Sequence, residues 1–149
     1  TAVIIGSQAY YGNVKVGENE YKDRILVSIS NHGYDMIPDD NYLEVVSGDG
    51  DEIVLLLTYK DQLFVFKKRS LVICSVGGED DSIIDTLQVG GIDTKSQACV
   101  TSKGVFWANS FGAFLHDGSE LTNLTRSKIA LAESNIDQID IQVDGEAIP

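Results

Sequence analysis

The sequence predicts an all-β protein, and three observations lead to this fold class. Short apolar runs alternate along the chain with clusters of Gly, Asn, Asp and Ser, which is typical of strands separated by turns. The runs are rich in β-branched and aromatic residues, which suit a pleated and packed surface. Only one stretch, residues 127–137, has helical periodicity, and its apolar face is weak: Ile129, Leu131, Ala132 and Ile136.

The strand predictions follow the apolar runs in chain order. The first half of the chain has two short runs, and the strongest runs lie in the middle and third quarter. The predicted strands contain residues 3–5, 25–27, 53–57, 63–66, 71–74, 105–108 and 113–115.

Length and composition exclude several classes of protein. The chain has 149 residues, enough for one domain. No apolar run approaches the roughly 18 residues of a membrane-spanning helix, and two cysteines are too few for a disulfide scaffold. The formal net charge of -12 opposes a general nucleic-acid coat, which needs a basic excess. Neither end resembles a natural terminus, so we expect a piece of a longer polypeptide; the alternative is a trimmed small domain.

Two internal repeats are visible. The tripeptide Tyr-Lys-Asp occurs at 21–23 and at 59–61, each time before an apolar strand. A longer match has a spacing of 42 residues: the strands at 63–66 and 71–73 overlie those at 105–108 and 113–115 without a gap. The upstream strands align as well, residues 55–58 with residues 97–100. A further step of 42 residues from Cys99 reaches Ile141, within residues 139–143.

A recurrence of this length predicts β-propeller blades, which are four-stranded sheets of about 40 to 45 residues in the best-known repeat. Because neighbouring blades cover both faces of a blade, its strands should be apolar at odd and even positions alike. The runs fit this requirement: Leu63 and Val65 oppose Phe64 and Phe66, Leu71 and Ile73 oppose Val72 and Cys74, and Leu55 and Leu57 oppose Val54 and Leu56. A two-layer β-sandwich, the alternative, would alternate apolar and polar residues.

The predicted organisation is about three four-stranded antiparallel blades belonging to a larger propeller. The units are approximately 1–50, 51–92 and 93–135, and the start of a further unit is 136–149. Closed propellers have about four to eight blades, and an open arrangement leaves sheet edges that pair with other chains. Either more polypeptide completes the ring, or several copies assemble.

No catalytic, cofactor-binding or metal-binding residue is predicted. His32 and His116 lie in turn sequences without a ligand partner at useful spacing, and Cys74 and Cys99 lie in apolar strands, which predicts buried, inert thiols. The acidic clusters 39–40, 49–52 and 79–81 could supply oxygen ligands to calcium, but none has the full 12-residue loop of an EF-hand, so solvated loop acids are favoured.

Other motifs have structural explanations. The pairs Gly77-Gly78 and Gly90-Gly91 indicate turns, since neither is followed by the remainder of a phosphate loop. The basic cluster at 67–69 occupies a hairpin tip, where a solvated turn is favoured over contact with nucleic acid or an acidic neighbour. Trp107 is expected in the core, although it and the pair Tyr10-Tyr11 could stack on sugars. The triplet Asn123-Leu124-Thr125 fits the N-glycosylation pattern, which is common by chance.

Three stretches resemble the virion β-propeller proteins of tailed bacteriophages. Residues 59–74, Tyr-Lys-Asp-Gln-Leu-Phe-Val-Phe-Lys-Lys-Arg-Ser-Leu-Val-Ile-Cys, resemble one blade motif of that family. Residues 104–118, Gly-Val-Phe-Trp-Ala-Asn-Ser-Phe-Gly-Ala-Phe-Leu-His-Asp-Gly, resemble a second. Residues 23–28, Asp-Arg-Ile-Leu-Val-Ser, with Asn41 and Glu44 downstream, resemble a third. The order of the three is that of the family, and together they span roughly 20–125.

The resemblance implies a structural, non-enzymatic part of the virion, such as a nozzle or hub of a short-tailed phage. It implies assembly into a homo-oligomeric ring with other tail or connector proteins, viral DNA passing through the lumen, and no cofactor. An acidic lumen that repels DNA would suit the charge of -12. The chain departs from the family by lacking the remaining blades and an insertion domain. The alternatives are a ligand- or glycan-binding propeller module and, less favoured, a glycoside hydrolase fragment.

Overall fold

The structure is a computed structural model and describes residues 1–43, 48–77 and 81–125. Within these residues the chain forms three antiparallel sheets that follow one another along the sequence, and none of them closes on itself. The all-β prediction is therefore confirmed. The weak helix predicted over 127–137, the strand at 139–143 and the further unit 136–149 lie outside the described residues.

The first sheet contains three strands in the order β1 (Ala2–Ile5), β2 (Gln8–Val16) and β3 (Asn19–Val27). A single antiparallel bridge between Leu26 and Tyr42 continues it beyond β3. The first predicted unit thus shows three strands and one bridge within residues 1–43, and residues 44–47 lie outside the described part of the chain. The long strand β2 was not predicted, because its second half, Gly-Asn-Val-Lys-Val, has only two apolar residues and a short alternation.

The middle and third sheets each contain four strands, connected as meanders. The middle sheet has the order β4 (Ile53–Tyr59), β5 (Gln62–Lys67), β6 (Leu71–Ser75) and β7 (Ser82–Leu87). The third sheet is built likewise from β8 (Ala98–Thr101), β9 (Gly104–Asn109), β10 (Gly112–His116) and β11 (Leu121–Asn123). Two single-turn 3₁₀ helices, Gln88–Gly90 and Lys95–Gln97, join these sheets and had no sequence prediction.

The 42-residue repeat is confirmed in the pairing of the strands. Val65 pairs with Val72 in the middle sheet, and Trp107 pairs with Phe114 at the same two positions of the third. Between the first and second strands, Leu56 pairs with Val65 as Ala98 pairs with Trp107. The two sheets therefore share one register over their first three strands.

The Tyr-Lys-Asp repeat has no structural counterpart. Its first copy, at 21–23, lies inside β3, whereas the second begins at the last residue of β4 and continues into the turn before β5. In that turn Lys60 and Asp61 both have positive φ, of 49° and 59°. The tripeptide match was therefore wrong as a guide to equivalent positions.

Three strands of the middle sheet, β4, β5 and β6, are covered on both faces, whereas β7 is exposed along most of its length. Towards the first sheet it contributes Leu56, Leu63, Val65, Val72 and Cys74 to one apolar core. Towards the third sheet it contributes Phe64, Phe66, Leu71 and Ile73 to a second core, which also contains Val105, Trp107 and Phe114. The predicted faces of β5 and β6 are confirmed, and a two-layer sandwich with one wet face does not describe this sheet.

One residue of β4 was assigned to the wrong face. Val54 packs against the same core as Leu55 and Leu57 instead of sharing a face with Leu56. The cause is a register shift in the pairing of β4 with β5 between Ile53 and Leu55, because an extra residue in a strand interrupts the alternation of its side chains.

Neighbouring sheets meet through their first strands. β1 contacts β4, and β4 in turn contacts β8. The chain thus forms a stack of three sheets with two cores between them, and the two end sheets each have one outer face directed away from the stack.

Candidate functional site

The acidic and basic clusters meet at one end of the middle sheet, and the structure corrects two predictions there. Lys67 is the last residue of β5 and is fully buried, and Asp51 is 5% exposed, so neither is solvated. Both oxygens of Asp51 accept the backbone N–H of Arg69, at 3.1 and 3.3 Å, and one accepts the Ser70 hydroxyl at 3.0 Å. Asp51 therefore holds the β5–β6 turn, while Lys68 and Arg69 are exposed as predicted.

Two ion pairs flank this carboxylate. The Lys67 ammonium donates to Asp49 Oδ2, and Lys68 Nζ lies 3.0 Å from Glu52 Oε2. Burial is the largest single effect on the pKa of Asp49 and raises it, but the hydrogen bond from Lys67, the positive charge of Lys67 and the hydrogen bonds from backbone N–H groups together lower this pKa below its ordinary value. Hydrogen bonds from Lys68 and Asn13 lower the pKa of Glu52. These groups therefore close the end of the sheet with internal partners.

His116 is a structural residue at the joint between the middle and third sheets. It is 4% exposed as the last residue of β10, and its ring lies edge-on to Phe64 with centroids 5.4 Å apart. Its Nδ1 accepts the N–H of Gly118 at 3.1 Å. Burial lowers its pKa, against the smaller opposing effects of Asp117 and Asp85. His32, in contrast, lies exposed in a turn with φ of 66°.

The two cysteines have opposite surroundings. Cys74 is fully buried as predicted, and desolvation raises the pKa of its thiol to about 12. Cys99 is exposed, so its predicted burial was wrong. The physical reason is position: Cys99 corresponds in the repeat to Leu57, which packs against the following sheet, whereas Cys99 lies on the outer face of the third sheet.

The aromatic residues considered for sugar stacking mostly serve the cores. Trp107 is fully buried as predicted; it stacks on Phe114 at 5.4 Å and its indole N–H donates to Val89 O at 3.2 Å. Tyr10 is 2% exposed and belongs to the core of the first sheet. Tyr11 points to the opposite face, where its hydroxyl donates to Tyr34 O at 2.7 Å.

The remaining motifs also have structural roles. At Gly90 and Gly91 the reason for glycine is close approach and not a turn alone, because a Cβ would lie 2.1 Å from Leu71 Cβ and 2.5 Å from Lys68 O respectively. The Thr125 hydroxyl accepts the Ala113 N–H. Asp39 and Asp40 are exposed loop acids, and residues 79–80 and Gly78 lie outside the described residues.

The described residues hold no group of three or more His, Cys, Asp or Glu side chains placed to bind a metal ion. Among the same residues, no helix has the length and apolar character needed to cross a membrane. Asp51, Lys67 and His116 each make hydrogen bonds to partners within the chain.

The outer face of the third sheet is the first of two surfaces that no sheet within residues 1–43, 48–77 and 81–125 covers. Its central row runs across the sheet from Cys99 through Phe106 and Leu115. The equivalent residues of the middle sheet, Phe64 and Ile73, are fully buried against the third sheet. Phe106 and Leu115 are only partly buried, and Cys99 is exposed.

The outer face of the first sheet is the second such surface. Residues 28–41 extend over the half nearer β3, where Leu26 is buried. The half formed by β1 and β2 has a shallow apolar depression lined by Ala2, Ile4, Ala9 and Tyr11, and Ile4 is 55% exposed. Sequence analysis did not single out Ile4, Phe106 or Leu115, although the 42-residue repeat relates the last two to buried positions.

Comparison with known proteins found no relative: no protein-family model and no curated protein matches the chain.

Proposed function

We propose that this chain is a non-enzymatic structural segment of a tail β-propeller in a bacteriophage virion. The single observation that carries the proposal is the packing of the middle sheet, whose strands β4, β5 and β6 are covered on both faces by sheets of the same kind. Blades of a propeller require such burial, and the shared register of the middle and third sheets supports a blade repeat. The assignment to phage tails rests on the three resembling stretches and their order.

In this proposal the sheets are three successive blades, and their first strands lie nearest the propeller axis. The contacts of β1 with β4 and of β4 with β8 support that placement. The partners would be other tail or connector proteins and further copies of the chain, with viral DNA passing through the assembled lumen. The internal use of the buried polar groups Asp51, Lys67 and His116 supports a structural role.

Mass spectrometry of purified virions of the phage that encodes this chain tests this function. We expect peptides of this chain in amounts comparable to those of other tail proteins, after extensive washing of the particles. Absence of the chain from particles, while it is present in the infected-cell lysate, would overturn the proposal. Hydrolysis of any member of a polysaccharide panel by the purified chain would favour the glycoside hydrolase alternative instead.

A glycan-binding module is a second candidate, and one observation favours it. A cleft on the first sheet combines Tyr21, Leu26, Ile37 and Pro38 with the carboxylate of Asp39. Aromatic rings beside carboxylates suit sugars, because the rings stack on the apolar faces of the sugar and the acids bind its hydroxyls. Binding on a glycan array that is lost in Tyr21→Ala and kept in Tyr34→Ala would support this function over the structural one.

A further inference from the structure

We propose that the cleft on the first sheet binds an acidic sugar whose carboxylate pairs with Arg24. The inference rests on the glycan-binding candidate given under the proposed function, and it adds the class of ligand and the residue that anchors it. It does not depend on the virion assignment. One juxtaposition carries it: two tyrosine rings hold an arginine beside the cleft, and that arginine has no acidic partner in the described part of the chain.

An irregularity in β3 creates this arrangement. Residues 22–24 of β3 lie opposite the single residue Asn13 of β2. Tyr21 and Ile25 would share a face of a regular strand, yet Ile25 belongs to the core with the middle sheet and Tyr21 lines the cleft. The reason is that extra residues in one strand interrupt its alternation and redirect its side chains. Tyr21 therefore lies on the same face of the sheet as Leu26, which also lines the cleft.

Two tyrosine rings hold the Arg24 side chain in place. The central carbon of its guanidinium lies 4.9 Å from the centroid of the Tyr21 ring and 4.1 Å from that of the Tyr42 ring. Tyr42 reaches this position through its bridge to Leu26. A guanidinium that stacks on aromatic rings keeps its in-plane N–H donors for other partners. The rings therefore orient Arg24 without satisfying its hydrogen-bonding groups.

Arg24 lacks an acidic partner among the residues that the structure describes. The ion pairs found there join Lys22, Lys67, Lys68 and Arg69 to nearby carboxylates. No hydrogen bond joins the Arg24 guanidinium to these described residues either. The chain has 23 acidic residues, yet this arginine is fixed by stacking and left without a carboxylate. Such a group suits an acid that comes from a ligand.

The cleft beside Arg24 has the size and the lining of a sugar site. Its volume is about 380 Å³, within the range of about 300–1,000 Å³ that is usual for small-molecule sites. Tyr21, which stacks on Arg24, lines the cleft, and Ile37, Pro38 and Asp39 line it from the segment that extends over the sheet. An aromatic ring, apolar side chains and a carboxylate acceptor therefore stand next to the guanidinium.

These groups match the three parts of a sugar acid. The apolar face of the sugar ring would stack on Tyr21, and the sugar hydroxyls would donate to Asp39. The carboxylate of the sugar would accept two parallel N–H bonds from Arg24, which is the geometry in which arginine binds carboxylates. A neutral sugar would leave Arg24 unpaired, so the acid should bind more tightly than its neutral counterpart.

A glycan array tests the class of ligand. Oligosaccharides of uronic and sialic acids are printed beside their carboxyl-reduced forms, which keep the sugar ring and lose the charge. We expect the purified chain to bind acidic members, and to bind the reduced forms at least roughly tenfold more weakly, because a hydrogen bond to a charged group is lost. Binding to no acidic member, or equal binding of the two forms, would overturn the proposal.

Arg24→Gln tests the anchoring residue, with the tightest-binding acidic member of the array as the probe. Its affinity should fall roughly tenfold or more. Arg69→Gln is the matched control: it removes the same charge from a side chain that is 73% exposed and lies outside the cleft, so the affinity should stay that of the wild-type chain. An equal loss of affinity in the two variants would show that overall charge attracts the acid, and would overturn the role of Arg24.

Circular dichroism checks that both variants keep their sheets. If Arg24→Gln does not fold, Arg24→Lys serves in its place, because it keeps the charge and loses the planar fork that binds a carboxylate through two parallel bonds. Its affinity for the acidic probe should fall, and wild-type affinity in Arg24→Lys would contradict the paired geometry.

The proposals can fail separately. A chain that binds only neutral sugars, and loses them in Tyr21→Ala, would keep the glycan-binding function and lose the acidic ligand. A chain that is present in particles but binds no glycan would keep its structural function and lose both the glycan-binding function and the acidic ligand.

Discussion

Single buried polar residues fix the turns of this protein, and Asp51 is the clearest case. Its carboxylate accepts three hydrogen bonds from Arg69 and Ser70 and lies almost entirely out of solvent. Without it, the Ser70 hydroxyl and the Arg69 N–H would be left without their acceptor at the edge of the core. An unsatisfied buried polar group costs more free energy than the bond itself contributes.

We therefore expect Asp51→Ala to lower the free energy of unfolding by about 3 kcal/mol, since each donor left unpaired costs about 1–3 kcal/mol. Urea denaturation followed by circular dichroism measures the change. Asp93→Ala is the control: Asp93 is exposed and donates through its backbone N–H, which the substitution keeps. Equal stability of both variants would mean that water replaces the carboxylate without cost.

His116 predicts a pH dependence of stability. Burial lowers its pKa in the folded chain below the ordinary value of 6.5, so the unfolded chain takes up the proton first. Stability from this residue is therefore complete above pH 6.5 and falls as the pH drops towards the folded pKa. Asp49, Glu52 and Asp117 have lowered pKa values, so their contribution is lost only at a lower pH, below about 4.

The test is the difference in unfolding free energy between about pH 7.5 and pH 5.5, a window chosen from the ordinary pKa of histidine. We expect the wild-type chain to lose stability across this window and His116→Asn to lose less, because the Asn side chain can still accept from Gly118 and does not titrate. His32→Asn is the control, since Asn tolerates the positive φ at that position. If His116→Asn loses as much unfolding free energy across this window as the wild-type chain, groups other than His116 cause the pH dependence.

At the scale of elements, the sheets share a register but differ in what covers them. Phe64 and Phe106 occupy the same position of the repeat, 42 residues apart, on second strands of two sheets. Phe64 is 0% exposed between two sheets, whereas Phe106 is only partly buried on an outer face. The same substitution at the two sites therefore compares a covered face with an open one.

We expect Phe64→Ala to cost about 3–5 kcal/mol, as for other buried aromatic residues, and Phe106→Ala about half as much at low protein concentration. Denaturation in urea at low concentration measures both. Equal costs at all concentrations would contradict the difference in burial.

The sequence predicted the middle of the chain well and its beginning poorly, for one physical reason. In β5 and β6, residues 63–66 and 71–74 are all apolar because both faces are covered, so strand, register and face could all be predicted. In β2 the second half has only two apolar residues, Val14 and Val16, and their alternation with Asn13 and Lys15 is too short to distinguish a strand from a loop. The bulge in β4 is set by pairing with β5, which is not encoded in local periodicity, so Val54 was misplaced.

The predicted solvent exposure of two charged residues was wrong because tertiary contacts bury them. Lys67 and Asp51 look like solvated loop residues because charged residues surround both in sequence. Their burial arises from contacts between residues 18 to 19 positions apart, which no local pattern encodes. The prediction for Cys99 was wrong in the opposite direction, since a residue predicted to be buried is exposed. Its strand was predicted correctly, but its burial would need a further sheet packed on that face.

At the scale of the whole molecule, a net charge of -12 opposes contact between copies. Like charges on two copies repel over a distance set by the ionic strength, whereas burial of the outer faces depends little on moderate salt. Self-association therefore balances a screened repulsion against an apolar attraction.

We expect the average mass from light scattering to rise when salt increases from about 10 mM to about 300 mM, because the Debye length shortens from about 30 Å to less than 10 Å. A mass that falls with salt would indicate that ion pairs, and not apolar faces, hold copies together.

Trp107 is the one tryptophan of the chain, and it lies in the joint between the middle and third sheets. Its ring is shielded from solvent, and its indole N–H donates to the Val89 carbonyl in the connection between the two sheets. The protein consequently carries a built-in optical probe of that joint. Its fluorescence emission should shift to longer wavelength when the two sheets separate, even if each keeps its own strands, so separation of sheets can be told from loss of strands without attaching a dye.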